Sequence, residues 1–314
     1  MTFSNKVKGY IIGAVAAASY GTNPLFALPL YSDGMNPDSV LFLRYLLAIP
    51  VMGIMLFLRR GKDEFGVSGK ETWQLAIMGV MVALSSLSLF ISYDYMDAGI
   101  ASTLLFVYPI MVALIMSALF KEKLTMSTVA CIVIALSGIR LLYRSSDGST
   151  ISLTGTMLVM ASSLTYAIYI VGVNQSELKN LPTLKVILYV LSFGLSVFII
   201  RFACGSSFQV PSMPVLWLNI MGLAIIPTAL SFVCTTYAIQ LIGPTPTAIL
   251  GALEPLTAVI IGVLVFGEDI SLRITIGILL ILIAVTLVIA GNRLTGHLVH
   301  IRKLFPRKRK HTNI

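Results

Sequence analysis

The stretch Gly251-Ala252-Leu253-Glu254-Pro255-Leu256-Thr257-Ala258 places a carboxylate in the middle of an apolar run of membrane-spanning length. An ionisable side chain at bilayer depth costs roughly 2.5 kcal/mol or more, so Glu254 marks either a function or a buried partner. The proline after it loosens the helix and frees a backbone carbonyl. A matching Tyr108-Pro109 lies 146 residues earlier in another apolar run. This echo indicates a duplicated architecture with a site between its halves.

The composition is that of an integral membrane protein. Of the 314 residues, 57% are hydrophobic and 11% are charged, whereas a soluble domain carries about 25% charged residues. A spanning helix needs about 20 apolar residues, which predicts an all-α integral membrane fold with ten transmembrane helices. The ten apolar runs lie at roughly 9–30, 39–58, 73–93, 99–119, 125–143, 153–173, 183–203, 215–239, 245–266 and 272–291.

The net charge of +9 follows the predicted topology rather than a nucleic-acid surface. With ten spans and both termini inside, 17 of the 22 lysines and arginines fall in inside segments. This bias is typical of a multi-pass protein of the cell (inner) membrane with cytoplasmic N- and C-termini. The basic cluster from Arg302 to Lys310 is expected to bind anionic lipid headgroups. No nucleic-acid partner is expected.

Comparison of the chain with itself indicates two repeats. At an offset of 146 residues, Tyr20 aligns with Tyr166, and at an offset of 144, Tyr93 aligns with Tyr237. Five spans in each half put the halves in opposite orientations, as in many secondary transporters that bind substrate near the midplane between repeats. The predicted domains are a first five-helix repeat at 1–148, a second at 149–293 and a basic cytoplasmic tail at 294–314.

Polar side chains on several spans outline a predicted cavity. Tyr20 and Asn23 lie on span one, and Tyr166 and Glu254 lie on spans six and nine. Ser88 belongs to a row of serines on one face of span three. Small and hydroxyl residues on one face usually serve helix contacts in lipid. Tyrosines together with an amide and a carboxylate instead suit an aromatic, hydrogen-bonding cavity for a small organic molecule.

Two charged residues within the spans each allow more than one interpretation. Glu254 either hydrogen-bonds a neighbouring helix and fixes packing, or binds a proton or the cationic part of a substrate and so biases two access states. Arg44 is predicted to snorkel to the outer interface. The alternatives for Arg44 are a pair with an acid such as Asp97 or a place in the outer vestibule.

The distribution of histidines and cysteines argues against an intramembrane enzyme. His297, His300 and His311 all lie in the basic tail, so neither a Ser-His pair nor a histidine metal site is available within the spans. The three cysteines have no paired spacing and indicate packing residues. No catalytic residue, metal or cofactor is therefore predicted. A passive channel or an assembly subunit is the alternative, although no ring of like charges is evident.

The chain resembles the EamA-type transporters of the drug/metabolite transporter superfamily over about residues 9–293. The most specific part runs from Thr247 through Glu254-Pro255 to Phe266-Gly267-Glu268, and Tyr108-Pro109 begins its first-half counterpart. The resemblance implies alternating-access transport of a small-molecule substrate, an amino acid or a similar metabolite, with export as the expected direction. It also implies a central cavity lined by spans one, three, four, six, eight and nine.

Matching positions in that resemblance nominate the site. The expected helix breaks or hinges are Pro24, Pro109 and Pro255. The expected substrate-binding residues are Tyr20, Asn23, Ser88, Tyr93, Tyr108, Tyr166, Tyr237 and Glu254. Span ten carries a face of small residues that suits either packing on span nine or a contact between two copies. The protein is accordingly expected to be a monomer or a homodimer.

Overall fold

The computed structural model describes most of the chain, and every regular element within the described ranges is a helix. The tail at 294–314, both chain termini, Asp97 and Gly267-Glu268 lie outside those ranges. The described residues are 5–60, 65–95, 101, 104–121, 126–142, 152–266, 272, 275–277, 279–280, 282–284 and 287.

The helices are joined by short turns and are numbered in chain order. A π-helical segment, Ala224–Leu230, joins α9 to α10, and a 3-10 turn, Glu177–Asn180, precedes α8. The α-helices are α1 (Asn5–Tyr20), α2 (Asn23–Ser32), α3 (Pro37–Arg60), α4 (Gly69–Ser92), α5 (Tyr108–Phe120), α6 (Met126–Leu142), α7 (Leu153–Gln175), α8 (Thr183–Ala203), α9 (Leu216–Leu223), α10 (Ser231–Ile242), α11 (Pro244–Leu250) and α12 (Leu253–Phe266).

Six helical segments of the described chain are long and apolar enough to cross a membrane. Shorter apolar helices at Tyr108–Phe120 and Val129–Gly138 accompany them. The protein is therefore an all-helical, multi-pass membrane protein, as the sequence predicted, whereas the count of ten spans stays a prediction. The six segments are Asn5–Ser32, Pro37–Leu58, Gly69–Ser92, Leu153–Gln175, Thr183–Ala203 and Leu216–Ile242.

Helix packing crosses between the two halves of the chain. Helix α1 lies against α10, and α7 lies against α4. In the alignment of the repeats, α1 corresponds to α7, and α4 corresponds to the α9–α10 segment. The first helix of each half therefore packs against the corresponding third helix of the other half. Helices α3 and α8, which also correspond, pack against each other. The pattern is the one expected when two inverted repeats interlock.

Small residues allow these helices to approach closely. Ser85 of α4 donates to the Ser162 carbonyl at 3.0 Å, and Ser162 donates back to the Ser85 carbonyl at 2.8 Å. A Cβ on Gly79 of α4 would come within 2.6 Å of the Val190 carbonyl oxygen on α8. Such small and hydroxyl contacts replace the hydrophobic effect as the packing force in lipid.

One end of the bundle collects lysines and is termed the basic end. The starts of α1, α4 and α8 carry Lys8, Lys70 and Lys185, and Lys179 lies in the turn before α8. Lys70 pairs with Glu177 at 2.5 Å, which joins the start of α4 to that turn. At the opposite end, Asp38 begins α3 and is buried rather than in an exposed loop, because Arg201 of α8 pairs with it at 2.5 Å.

Candidate functional site

Three helices begin at a proline-containing turn, and these turns meet. Helix α2 starts with Asn23-Pro24 directly after α1 ends at Tyr20. Helix α5 starts with Tyr108-Pro109, and α12 places Glu254-Pro255 in its first turn after α11 ends at Leu250. Proline lacks an N–H and is tolerated in the first turn, so each helix restarts there. The three prolines stand where the sequence predicted breaks, and their action as hinges stays a prediction.

The first cavity lies where the three restarts meet and has a volume of about 40 Å³. Tyr93, just after α4, and Leu89 place this cavity toward the end of the bundle opposite the basic end. A water molecule occupies about 30 Å³ of liquid, so the space is too small for an organic substrate. The restarts contribute Tyr20, Gly21, Asn23, Pro24, Phe106, Tyr108, Glu254 and Pro255 to its wall.

A second cavity of about 10 Å³ lies on the other side of Glu254. Gly13 from the middle of α1 and Thr247 from α11 line it, which places it closer to the basic end than the first cavity. Tyr108 and Glu254 line both cavities. These two side chains therefore form the partition between one space toward each end of the bundle.

Glu254 lines both cavities. Its side chain is half-buried, and it forms no hydrogen bond or ion pair with any residue in the described ranges. A buried or half-buried carboxylate is costly without a partner. The arrangement suits transient binding of a proton or of a cationic group.

Two glycines permit the close approach of the restarts. A Cβ on Gly251 would lie 1.6 Å from the Tyr108 hydroxyl oxygen, and one on Gly21 would lie 2.4 Å from the Glu254 carbonyl oxygen. The space left by Gly251 admits the Tyr108 ring, whose hydroxyl donates to the Ala248 carbonyl at 3.1 Å. The partition between the cavities thus depends on backbone positions without a side chain.

Tyr166 of α7 stands at the centre of an aromatic cluster. Its ring centroid lies 5.0 Å from that of Tyr108 in an edge-to-face arrangement. It also stacks with Tyr20 at 6.5 Å and with Tyr169 at 6.1 Å. The Tyr169 hydroxyl is 3.1 Å from the Thr236 hydroxyl. The structure therefore adds Tyr169 to the aromatic cluster around Tyr166, although Tyr169 lines neither cavity beside Glu254.

Arg44 of α3 is fully buried, so the prediction that it snorkels to the outer interface is wrong. Its guanidinium donates to the Thr228 hydroxyl, to the Asn23 side-chain oxygen at 3.0 Å and to the Pro227 carbonyl at 3.3 Å. The Tyr20 ring centroid lies 5.8 Å from the guanidinium carbon. These partners replace water around the charge. The bond to Asn23 connects α3 to the start of α2.

The π-helical segment at 224–230 supplies two of those partners and was not foreseen. Pro227 lacks an N–H, and the Thr228 hydroxyl donates to the freed Leu223 carbonyl at 2.6 Å. π-Helical turns inside α-helices occur frequently at functional sites. The available signal was a Pro-Thr pair in an apolar run together with an arginine on a neighbouring span.

Two nominated residues lie away from the partition. Ser88 is half-buried on α4 and contributes to neither cavity beside Glu254. Tyr237 lies near the basic end of α10, where the Lys8 ammonium is 5.6 Å from its ring centroid. The structure thus brings together Tyr20, Asn23, Tyr93, Tyr108, Tyr166 and Glu254.

A bundle of interrupted helices around a polar midplane cavity is the build of a membrane transporter. The chain belongs to the EamA-like transporter family, whose model matches residues 7–144 and again residues 153–290. It is thus a member of the drug/metabolite transporter superfamily.

Relatives named as transporters match most of the chain, and a solved structure shares its fold. An uncharacterized transporter of Archaeoglobus fulgidus is 26% identical over 275 residues, covering 86% of this chain and 92% of the relative. The uncharacterized inner membrane transporter YicL of Salmonella typhimurium is 24% identical over 292 residues, covering 91% and 96%. A crystal structure superposes with a TM-score of 0.77 at 18% identity, over 92% of this chain and 99% of that chain, and so shares its fold.

Proposed function

We propose that the protein is a secondary transporter that exports a small organic metabolite, an amino acid or a similar molecule, across the cell (inner) membrane by alternating access. The observation that carries the proposal is the position of Glu254. Its carboxylate stands between a cavity toward the basic end and a cavity toward the opposite end. A group that both cavities share is what a carrier needs in order to meet its substrate from either side.

The position of the helix restarts in the cavity wall supports alternating access. Neither cavity is large enough for an organic molecule in the described conformation, so binding of a substrate requires the wall to open. The wall consists largely of the first turns of α2, α5 and α12. Helix restarts in membranes concentrate conformational freedom where backbone groups already lack regular partners. We infer that opening on one side of the partition accompanies closing on the other.

The side chains around the cavities have different proposed roles in binding the substrate. Glu254 takes the cationic group of the substrate or a proton, and the Tyr20, Tyr108 and Tyr166 rings pack against its organic part. No basic side chain stands in the described wall of either cavity. A phosphorylated substrate needs cations, so a zwitterionic or neutral metabolite fits better.

The orientation proposed for the chain puts the basic end in the cytoplasm. Lysines at the starts of α1, α4 and α8 support this through the positive-inside rule. The same topology gives two inverted five-helix repeats, at 1–148 and 149–293, with the tail at 294–314 on the cytoplasmic lipid surface. The cavity with Gly13 then faces the cytoplasm and the cavity with Tyr93 faces outward.

Counterflow in proteoliposomes tests the proposal. Liposomes that contain the purified protein are preloaded with unlabelled amino acids, nucleosides or sugars and then given traces of the labelled compound. A carrier accumulates label transiently and saturably, because exchange is faster than net flux. Label that equilibrates without overshoot or saturation would indicate a channel. No movement of any compound by folded protein would contradict the proposal for these substrate classes.

A further inference from the structure

A third cavity, of about 520 Å³, opens at the basic end between α1, α3, α8 and α10. Lys8 of α1, Lys179 of the turn before α8, and Tyr237 and Gln240 of α10 contribute its polar wall. It shares no lining residue with either cavity beside Glu254. By its lining it is separate from the two cavities beside Glu254.

The charge on this cavity wall is uncompensated. Neither the Lys8 nor the Lys179 ammonium pairs with a carboxylate among the described residues, and the described wall contains no acid. The Lys8 ammonium rests over the Tyr237 ring, which leaves its donors available to a ligand. Two cations on one cavity favour an anionic ligand.

Two acids that the structure describes at this end have other partners. Glu177 pairs with Lys70 at 2.5 Å. The Glu71 carboxylate accepts the Ser68 backbone N–H at 2.6 Å as part of the cap of α4. Neither carboxylate forms an ion pair with Lys8 or Lys179.

Asn180 and Thr183 add to the polar wall, and the rest of the wall is apolar. Leu56, Leu184 and Val233 line the cavity. On α3, the next residues Phe57 and Leu58 are 48% and 77% exposed, as expected of a surface that faces acyl chains. A ligand that fits both parts has an anionic head and a hydrocarbon chain.

We propose that this cavity binds the headgroup of an anionic phospholipid from the leaflet at the basic end. Lys8 and Lys179 contact the phosphate, and the acyl chains lie along the end of α3. Basic pockets between membrane helices on the cytoplasmic side are suited to anionic headgroups. A free phosphate would use the lysines but leave the apolar wall without a function.

Lipid titration of the full-length protein in neutral detergent tests this. Native mass spectrometry counts bound phosphatidylglycerol, with phosphatidylcholine as the uncharged comparison. The variant Lys8→Gln with Lys179→Gln is matched to Lys6→Gln with Lys121→Gln, which removes the same charge from two exposed lysines outside the cavity and leaves the pair of Lys70 with Glu177 intact. Each basic residue near an anionic surface contributes about fivefold, so the first pair should weaken binding roughly 25-fold. The matched pair should stay within about twofold.

Three results would overturn the lipid site. These are equal affinity for the two lipids, equal weakening by the two pairs of substitutions, or displacement of phosphatidylglycerol by millimolar inorganic phosphate. The last result would assign the cavity to a soluble anion. The variant Lys8→Arg with Lys179→Arg keeps the charge and should keep binding, which separates loss of the site from loss of the fold.

Discussion

The two corresponding helix restarts, 105–109 in the first half and 251–255 in the second, place different chemistry at matched positions. Tyr108 precedes Pro109, whereas Glu254 precedes Pro255. Leu105 lies three residues before Tyr108, and Gly251 lies three residues before Glu254. The Tyr108 ring occupies the space beside Gly251, and its hydroxyl bonds the backbone of α11. The Glu254 carboxylate bonds no described residue and faces both cavities.

This difference shows how a duplicated structure acquires a single site. The restarts share a backbone form, because the same proline-containing turn begins α5 and α12. One restart supplies a rigid aromatic side chain that completes the partition, and the other supplies the charge. The unequal side chains thus place an ionisable group at only one of the two corresponding turns.

The largest expected effect comes from removing the charge with Glu254→Gln. Hydrogen bonds to a charged group contribute about 1.5–3 kcal/mol, so the initial rate of counterflow should fall roughly 10- to 100-fold. The isosteric amide should leave the thermal unfolding midpoint nearly unchanged. Glu177→Gln, at the basic end, is the matched control and should transport normally. Full activity of Glu254→Gln would remove the carboxylate from the mechanism.

Filling the space at the second restart with Gly251→Ala should have the next largest effect. The new methyl group would overlap the Tyr108 hydroxyl, and overpacking of this kind costs about 1–3 kcal/mol. We expect a lower unfolding midpoint and a several-fold loss of counterflow. Gly53→Ala is the control, because its Cβ would meet Leu188 at an ordinary 4.0 Å. Equal behaviour of the two alanine variants would show that the contact with Tyr108 is unimportant.

A smaller effect is expected from Tyr108→Phe, which removes the hydroxyl that bonds Ala248. A neutral hydrogen bond contributes about 0.5–1.5 kcal/mol, so the half-saturating substrate concentration should rise roughly 2- to 10-fold. Tyr237→Phe is the control and should leave this concentration unchanged, since Tyr237 lies in the lipid-site cavity. A larger shift in Tyr237→Phe than in Tyr108→Phe would support the role that the sequence comparison assigned to Tyr237.

The smallest expected effect is that of Ser85→Ala, which removes one side of the reciprocal bond between α4 and α7. Polar contacts between membrane helices average about 0.6 kcal/mol, so the unfolding midpoint should fall slightly while transport kinetics stay unchanged.

Ser88→Ala tests the nominated serine on the same helix. A specific rise in half-saturating concentration in Ser88→Ala alone would place that serine on the substrate path.

The sequence predicted the features that depend on local chemistry. Long apolar runs identified membrane helices, and the prolines at 24, 109 and 255 marked the first turns of α2, α5 and α12. The self-comparison singled out Tyr108 and Glu254 as counterparts, and the structure places them together. These inferences needed only periodicity, length and the properties of proline.

Features that depend on the partners of a side chain were not predictable in the same way. Arg44 was expected at the interface because it lies only a little inside span two, yet hydroxyl, amide and carbonyl oxygens from two other helical segments bond it. The π-helical segment changes the rotational register of α10 beyond Leu230. Alignment by offset matched Tyr237 to Tyr93, but the two line different cavities, because the matched helices run in opposite directions relative to the basic end.

The central claim is that Glu254 and Tyr108 separate two compartments that open alternately. In a background in which Cys131, Cys204 and Cys234 are replaced, single cysteines at Leu89 and Thr247 report on the two cavities. Labelling with an impermeant maleimide is measured from each side of oriented vesicles, with and without substrate. The account predicts labelling of Leu89→Cys from outside only and of Thr247→Cys from the cytoplasmic side only, with substrate shifting the two rates in opposite directions. Labelling of both positions from one side, or rates that rise together, would contradict it.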